Sequence, residues 1–225
     1  MTTDHRGLYL HVPFCKSKCA YCDFVSFAGA LEAYEEKYVE ALISEIYEYE
    51  SKEKIKIDTV FVGGGTPSVI SARSFVRIAD AIRNVFDLSS CSEFTVEANP
   101  KTVTAEKLSA YTRCGVNRIS LGLQTIHENE LKILGRIHTF QDFLDSYSLC
   151  LNAGIRNVNV DLMYAIPEQT VATFTETLKR IIDLSPTHIS AYGLILEPGT
   201  RLEKEKAARA SSVTLSHHAS HPLLS

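Results

Sequence analysis

No stretch of the 225 residues approaches the ~18 consecutive apolar residues that a membrane-spanning helix needs. The opening Met1-Thr2-Thr3-Asp4-His5-Arg6 carries nothing like the apolar centre of a secretory leader. An excess of positive charge is missing too: 23 Lys and Arg stand against 27 Asp and Glu, for a formal charge of −4. Nucleic-acid binding, which shows as a basic face, is therefore unsupported. The expectation is a cytoplasmic protein. Of the six cysteines, Cys91, Cys114 and Cys150 are scattered, and in a reducing compartment they are expected to be free, buried thiols. With 45% hydrophobic and 22% charged residues, the chain can bury a substantial core as one domain.

The remaining cysteines are clustered. Cys15-Lys16-Ser17-Lys18-Cys19-Ala20-Tyr21-Cys22 sets three thiols in a C-x3-C-x2-C spacing, directly after the alternating run Leu8-Tyr9-Leu10-His11-Val12. Thiolates are soft ligands, and a loop of this kind can wrap three of them around one iron–sulfur cube. Three ligands leave one iron of the cube open to something else. A structural zinc site is the rival reading. Zinc prefers four ligands, commonly as two closely spaced pairs, and the sequence has no second pair.

The periodicity of the rest alternates strand and helix. Strand-like runs are expected at 57–62, 93–97, 117–121, 157–162 and 188–192, and helices at 31–51, 75–86, 104–113, 128–134, 140–151 and 172–184. Alternation of this kind implies right-handed βαβ units and a parallel sheet. Six strands, the first bearing the cysteine loop, suit an α/β partial (β/α)6 TIM-like barrel. A doubly wound open sheet is the alternative that periodicity leaves standing. Glu97, Gln124, Asp161 and Tyr192 all fall at or just past the C-terminal ends of expected strands, where barrel sites are built, and they favour the barrel.

Gly63-Gly64-Gly65-Thr66-Pro67 follows a strand and is expected to enter a helix with Pro67 in its first turn. Its glycines let a ligand approach the backbone. A phosphate loop would need a terminal Lys-Ser/Thr, which is missing. Asp161 closes a largely apolar strand, and a buried carboxylate needs a partner, for which a bound ligand is one candidate. Tyr9 alternates with Leu8 and Leu10, so it should face the barrel interior with His11. For His11 and His188, a histidine hydrogen-bonded near the core is as good a reading as a catalytic one. After about Lys206 the periodicity stops, giving an expected core domain over 1–206 and an irregular, disordered tail over 207–225. The tail's His217, His218 and His221 offer metal or heme ligands as the alternative to a solvated tail.

The cysteine spacing, with an aromatic residue before Cys22, resembles the radical S-adenosylmethionine (SAM) superfamily. The longer string Tyr9-Leu10-His11-Val12-Pro13-Phe14-Cys15 is similar to the branch that holds oxygen-independent coproporphyrinogen III oxidases (HemN) and HemW heme chaperones. The resemblance implies a [4Fe–4S] cluster held by Cys15, Cys19 and Cys22, with SAM on the open iron. It further implies that Gly64, Gly65 and Thr66 meet the methionine part of SAM and that Arg136 pairs with its carboxylate. Glu97, Gln124 and Asp161 line the same site, with Tyr9 near the sulfonium, Tyr21 against the adenine and Ile195 touching it through its backbone. Within the branch, Tyr21-Cys22-Asp23-Phe24 lacks the oxidase's further cysteine and looks like the chaperone. The leading expectation is a protein that binds heme and passes it to apoproteins. The runner-up is oxidative decarboxylation of coproporphyrinogen III, with an electron-donor protein as partner, and a cluster-bearing binding module without turnover is a third possibility. Relatives of this kind continue into a C-terminal domain that the tail does not resemble, as a truncated or frame-shifted product would.

Overall fold

The computed structural model describes residues 5–208. It contains a six-stranded sheet, with β1 (Gly7–Val12), β4 (Thr59–Gly64), β5 (Glu93–Ala98), β6 (Arg118–Gln124), β7 (Asn157–Tyr164) and β8 (His188–Gly193) hydrogen-bonded in that order. Every neighbouring pair is parallel. Strand order equals chain order, so the described residues contain no reversal point of a doubly wound sheet, and the architecture is the partial (β/α)6 barrel. A second small sheet pairs β2 (Phe14–Cys15) with β3 (Phe27–Ala28) and closes the base of the cysteine loop.

The helices α1 (Leu31–Glu48), α2 (Ala72–Val85), α3 (Ala105–Arg113), α5 (Phe140–Asn152) and α6 (Val171–Ile182) alternate with the strands, and a short α4 (Glu128–Ile133) interrupts the β6–α5 connection. Their starts follow from capping chemistry. Ser71 and Thr104 accept the N–H three residues on, and Thr139 with Asp142 and Thr170 with Thr173 form reciprocal caps. Phe75 and Ile82 of α2, Leu108 and Tyr111 of α3, Phe143 of α5 and Ile181 of α6 are buried. They belong to one core with the strand residues Val62, Val96, Ile119, Leu121, Val158 and Val160. Removing that apolar surface from water, at roughly 25 cal/mol per Å2, is what holds the helical layer to the sheet.

Two expectations are corrected, at Pro67 and at Cys91. Pro67 does not open an α-helix; it begins a 3-10 turn, Pro67–Val69, because Ile70 and Ser71 then turn extended and Ser71 caps α2. Residues 201–208 are helical, and the expected tail from 209 onward lies outside the described residues. Cys114 and Cys150 are buried as expected, but Cys91 is only half-buried. No described helix is long and apolar enough to cross a membrane.

Candidate functional site

The ends of the strands bring four loops to one rim. The cysteine loop is tied down from two sides: Ala20 N–H donates to Leu134 O at 2.8 Å, and Leu202 N–H donates to Ala20 O at 2.8 Å. The Gly63–Thr66 loop crosses beside it, with Gly65 N–H donating to Val12 O and Thr66 N–H to Phe14 O, both at 2.8 Å. A Cβ on Gly65 would stand 2.7 Å from Phe14 O and 3.0 Å from Cys15 Sγ, so only glycine lets the two loops approach this closely.

Between these loops lies a cleft of about 330 Å3, within the range of small-molecule sites. It is lined by all three clustered cysteines, Tyr21, Gly64, Gly65, Thr66, Glu97, Gln124, Arg136 and Asp161. Tyr9 lies outside this lining and is exposed. It stacks on Phe61 with ring centroids 6.1 Å apart, and its hydroxyl is 3.1 Å from His11 Nδ1. Ile195 is 69% exposed and also lies outside the lining. His11 Nε2 meets Val25 O at 2.8 Å, and His188 is exposed beside Arg118, so neither histidine enters the cleft.

Among the described residues no three His, Cys, Asp or Glu side chains converge on a single ion position. Thr66 Oγ1 approaches Cys15 Sγ at 3.5 Å, and burial pushes the Cys22 thiol upward.

Arg136 supplies positive charge to the cleft, beside the exposed Lys18. Its Nη1 donates to Asn99 Oδ1 at 2.5 Å and its Nη2 to Tyr21 Oη at 2.8 Å, while its buried Nε has no partner. Burial pushes the Tyr21 phenol up to about 12 against the opposing pull of Arg136, so it remains a neutral hydroxyl. Two half-buried carboxylates share the cleft with Arg136. Glu97 is pushed up to about 7, first by burial and then by the charge of Asp161, with the Gly64 N–H at 3.2 Å opposing. Asp161 is raised by burial and steadied by Asn159 Nδ2 at 2.8 Å and Ser120 Oγ at 3.1 Å. The arrangement offers an unused guanidinium N–H for an anionic group and two carboxylates for a ligand's cationic or hydroxyl groups.

Gln124 ends β6 at φ +74°, where the β6–β7 register slips, and its side-chain oxygen accepts from Tyr192 Oη at 2.8 Å. A buried non-glycine residue in that region is strained, and here the strain turns the amide into the cleft. Sequence reasoning missed two contributors. Asn99 bridges Arg136 to Thr66, its Nδ2 donating to Thr66 Oγ1 at 2.9 Å, and Asn159 holds Asp161. Period-two alternation would have placed Asn159 on the face of Asp161; no local signal marks Asn99 beyond its place at a strand end.

A profile described as the Radical SAM superfamily matches residues 9–181. The heme chaperone HemW of Escherichia coli (strain K12) is 40% identical over 197 residues, covering 86% of this chain and 52% of the chaperone. HemW of Bacillus subtilis (strain 168) is 36% identical over 197 residues, covering 87% of this chain and 52% of that protein. The chain thus spans about half the length of the curated relatives it matches. Among solved structures, the coproporphyrinogen III oxidase HemN from Escherichia coli, a radical SAM enzyme, superimposes with a TM-score of 0.77 at 22% identity. That likeness, over 92% of this chain and 52% of HemN, concerns the fold.

Proposed function

The chain belongs to the Radical SAM superfamily, and on that premise we propose that it is the core of a HemW-type heme chaperone, which takes up heme and delivers it to apoproteins in the cytoplasm. Membership implies a [4Fe–4S] cluster and SAM. The donor set suits both. Cys15, Cys19 and Cys22 would hold three irons of the cluster. The backbone of Gly64, Gly65 and Thr66, kept clear of side chains, would hold the methionine end of SAM. The unpartnered Nε of Arg136 would donate to its carboxylate, and Glu97 and Asp161 would accept from its amino and hydroxyl groups. Gln124, Tyr9, Tyr21 and the backbone of Ile195 complete the proposed contacts.

When bound, the cluster and SAM supply one-electron chemistry at the sulfonium. The protein's own contribution is to orient and to exclude water. Asn99 and Tyr21 fix the plane of the Arg136 fork. Asn159 and Ser120 fix Asp161. Glu97, poised near neutrality, holds or releases a proton at its carboxyl as the cleft fills.

The likeness to HemW carries the chaperone reading, and Asp23 standing directly after the third cysteine agrees with it. The test is anaerobic and uses cluster-reconstituted protein with SAM, an electron donor and coproporphyrinogen III, with a parallel heme titration followed by addition of a heme-free acceptor protein. A Soret band that forms on this chain and passes to the acceptor, with no vinyl-bearing porphyrin produced, is the expected result. Vinyl-bearing product would instead establish the decarboxylase.

A further inference from the structure

Glu130 is 1% exposed on the short helix α4, outside the lining of the cleft, yet its carboxylate is fully engaged. Oε2 accepts from Thr125 Oγ1 at 2.6 Å and from Gln169 Nε2 at 3.0 Å, and Oε1 accepts from Thr173 Oγ1 at 2.8 Å. These donors come from three places: the residue after β6, the loop after β7, and the first turn of α6. All three are neutral. A buried carboxylate held only by neutral donors is a costly way to stabilise a fold, and an apolar residue of the same size would pack a helix against its neighbours without that cost.

What α4 carries explains the arrangement. Arg136 N–H donates to Leu131 O at 2.9 Å and Leu134 N–H to Glu130 O at 3.0 Å, so the turn bearing Arg136 is built on the end of this helix. Leu134 O in turn receives Ala20 N–H, between Cys19 and Tyr21. One two-turn helix therefore sets both the guanidinium and the cysteine loop, and a helix that short has no stability of its own. We propose that Glu130 is a positioning residue: by tying α4 to β6, the β7–α6 loop and α6, it holds Arg136 and the cysteine loop in the register that SAM requires. This rests on the reading of Arg136 as a SAM contact.

Hydrogen bonds fix direction as apolar packing does not, and small misplacements of a ligand-orienting group are expensive. Glu130→Ala should weaken SAM binding to the cluster-loaded protein about tenfold or more, with iron and sulfide content kept. In the cluster-free chain, amide exchange should speed up at 131–138 and at Ala20 while the strands keep their protection. Glu130→Gln retains the acceptor for Thr125 and Gln169 and should restore affinity to within about twofold. Thr125→Val, which keeps the shape and removes one donor, should fall between them and serves if the alanine variant does not fold. SAM affinity in Glu130→Ala equal to the parent, loss only in proportion to unfolded protein, or Glu130→Gln as weak as Glu130→Ala would each overturn the proposal. Arg136→Ala, measured alongside, separates the two readings. If that variant binds SAM normally, the site reading has failed; if it alone is weak, the role of Glu130 has.

Discussion

At the scale of single residues, the cleft is decided by which polar atoms have partners and which do not. Arg136 has two of its nitrogens occupied and a third, Nε, buried and unused, which costs stability unless a ligand meets it. Arg136→Ala should raise the SAM dissociation constant at least about tenfold while iron content holds, and Arg136→Lys should not restore it, since a point charge cannot reproduce the planar fork. Anaerobic calorimetric titration reads both, and an unchanged constant would remove Arg136 from the site. Arg136, Glu97 and Asp161 were legible because each stands in a short recognisable string. Asn99 was not: before a proline an asparagine reads as a turn former, and its bridge exists only once the end of β5 lies beside the glycine loop and the α4 turn.

At the scale of elements, legibility follows length. The six long strands and the five longer helices between them carry enough alternation or 3.6-residue periodicity to be placed within a few residues. The two-residue β2 and β3 and the 3-10 turn at Pro67–Val69 are too short for any period to show. Those short pieces fix the glycine loop against the cysteine loop. Gly65→Ala tests how little slack they leave, because the added carbon would meet backbone at Phe14 rather than a side chain that can swing aside. Reconstituted Gly65→Ala should lose half or more of its cluster iron with its far-ultraviolet dichroism unchanged. Full iron content would show that the loops can separate without harm.

At the scale of the whole molecule, strand order is the feature that periodicity alone left open; the polar residues at the strand ends favoured the barrel, and the observed order bears that out. Half-buried Glu97 and buried His138 also bear on how stability responds to pH. Glu97 moves from 4.5 to about 7 on folding, so its contribution is present below pH 4.5 and is lost as pH rises to 7. His138, buried beside Arg136, moves from 6.5 to about 4, so its contribution is present above pH 6.5 and is lost as pH falls to 4. Each is worth about 3 kcal/mol in magnitude, and over the shared window the two oppose each other. Relative to the parent, Glu97→Gln should lose stability on acidification from pH 7 to 4.5, and His138→Gln should gain it. Urea midpoints at four pH values check this, and parallel profiles for both variants would contradict it. The strand order has one more consequence, in time rather than space. Each strand leaving the ribosome finds its only earlier neighbour already made, so the sheet can grow in the direction of synthesis. The cysteine loop precedes every strand from β4 onward, yet both backbone ties of Ala20 come from much later in the chain, at Leu134 and Leu202. The clustered thiols are thus made well before the two segments that clamp Ala20 in their midst.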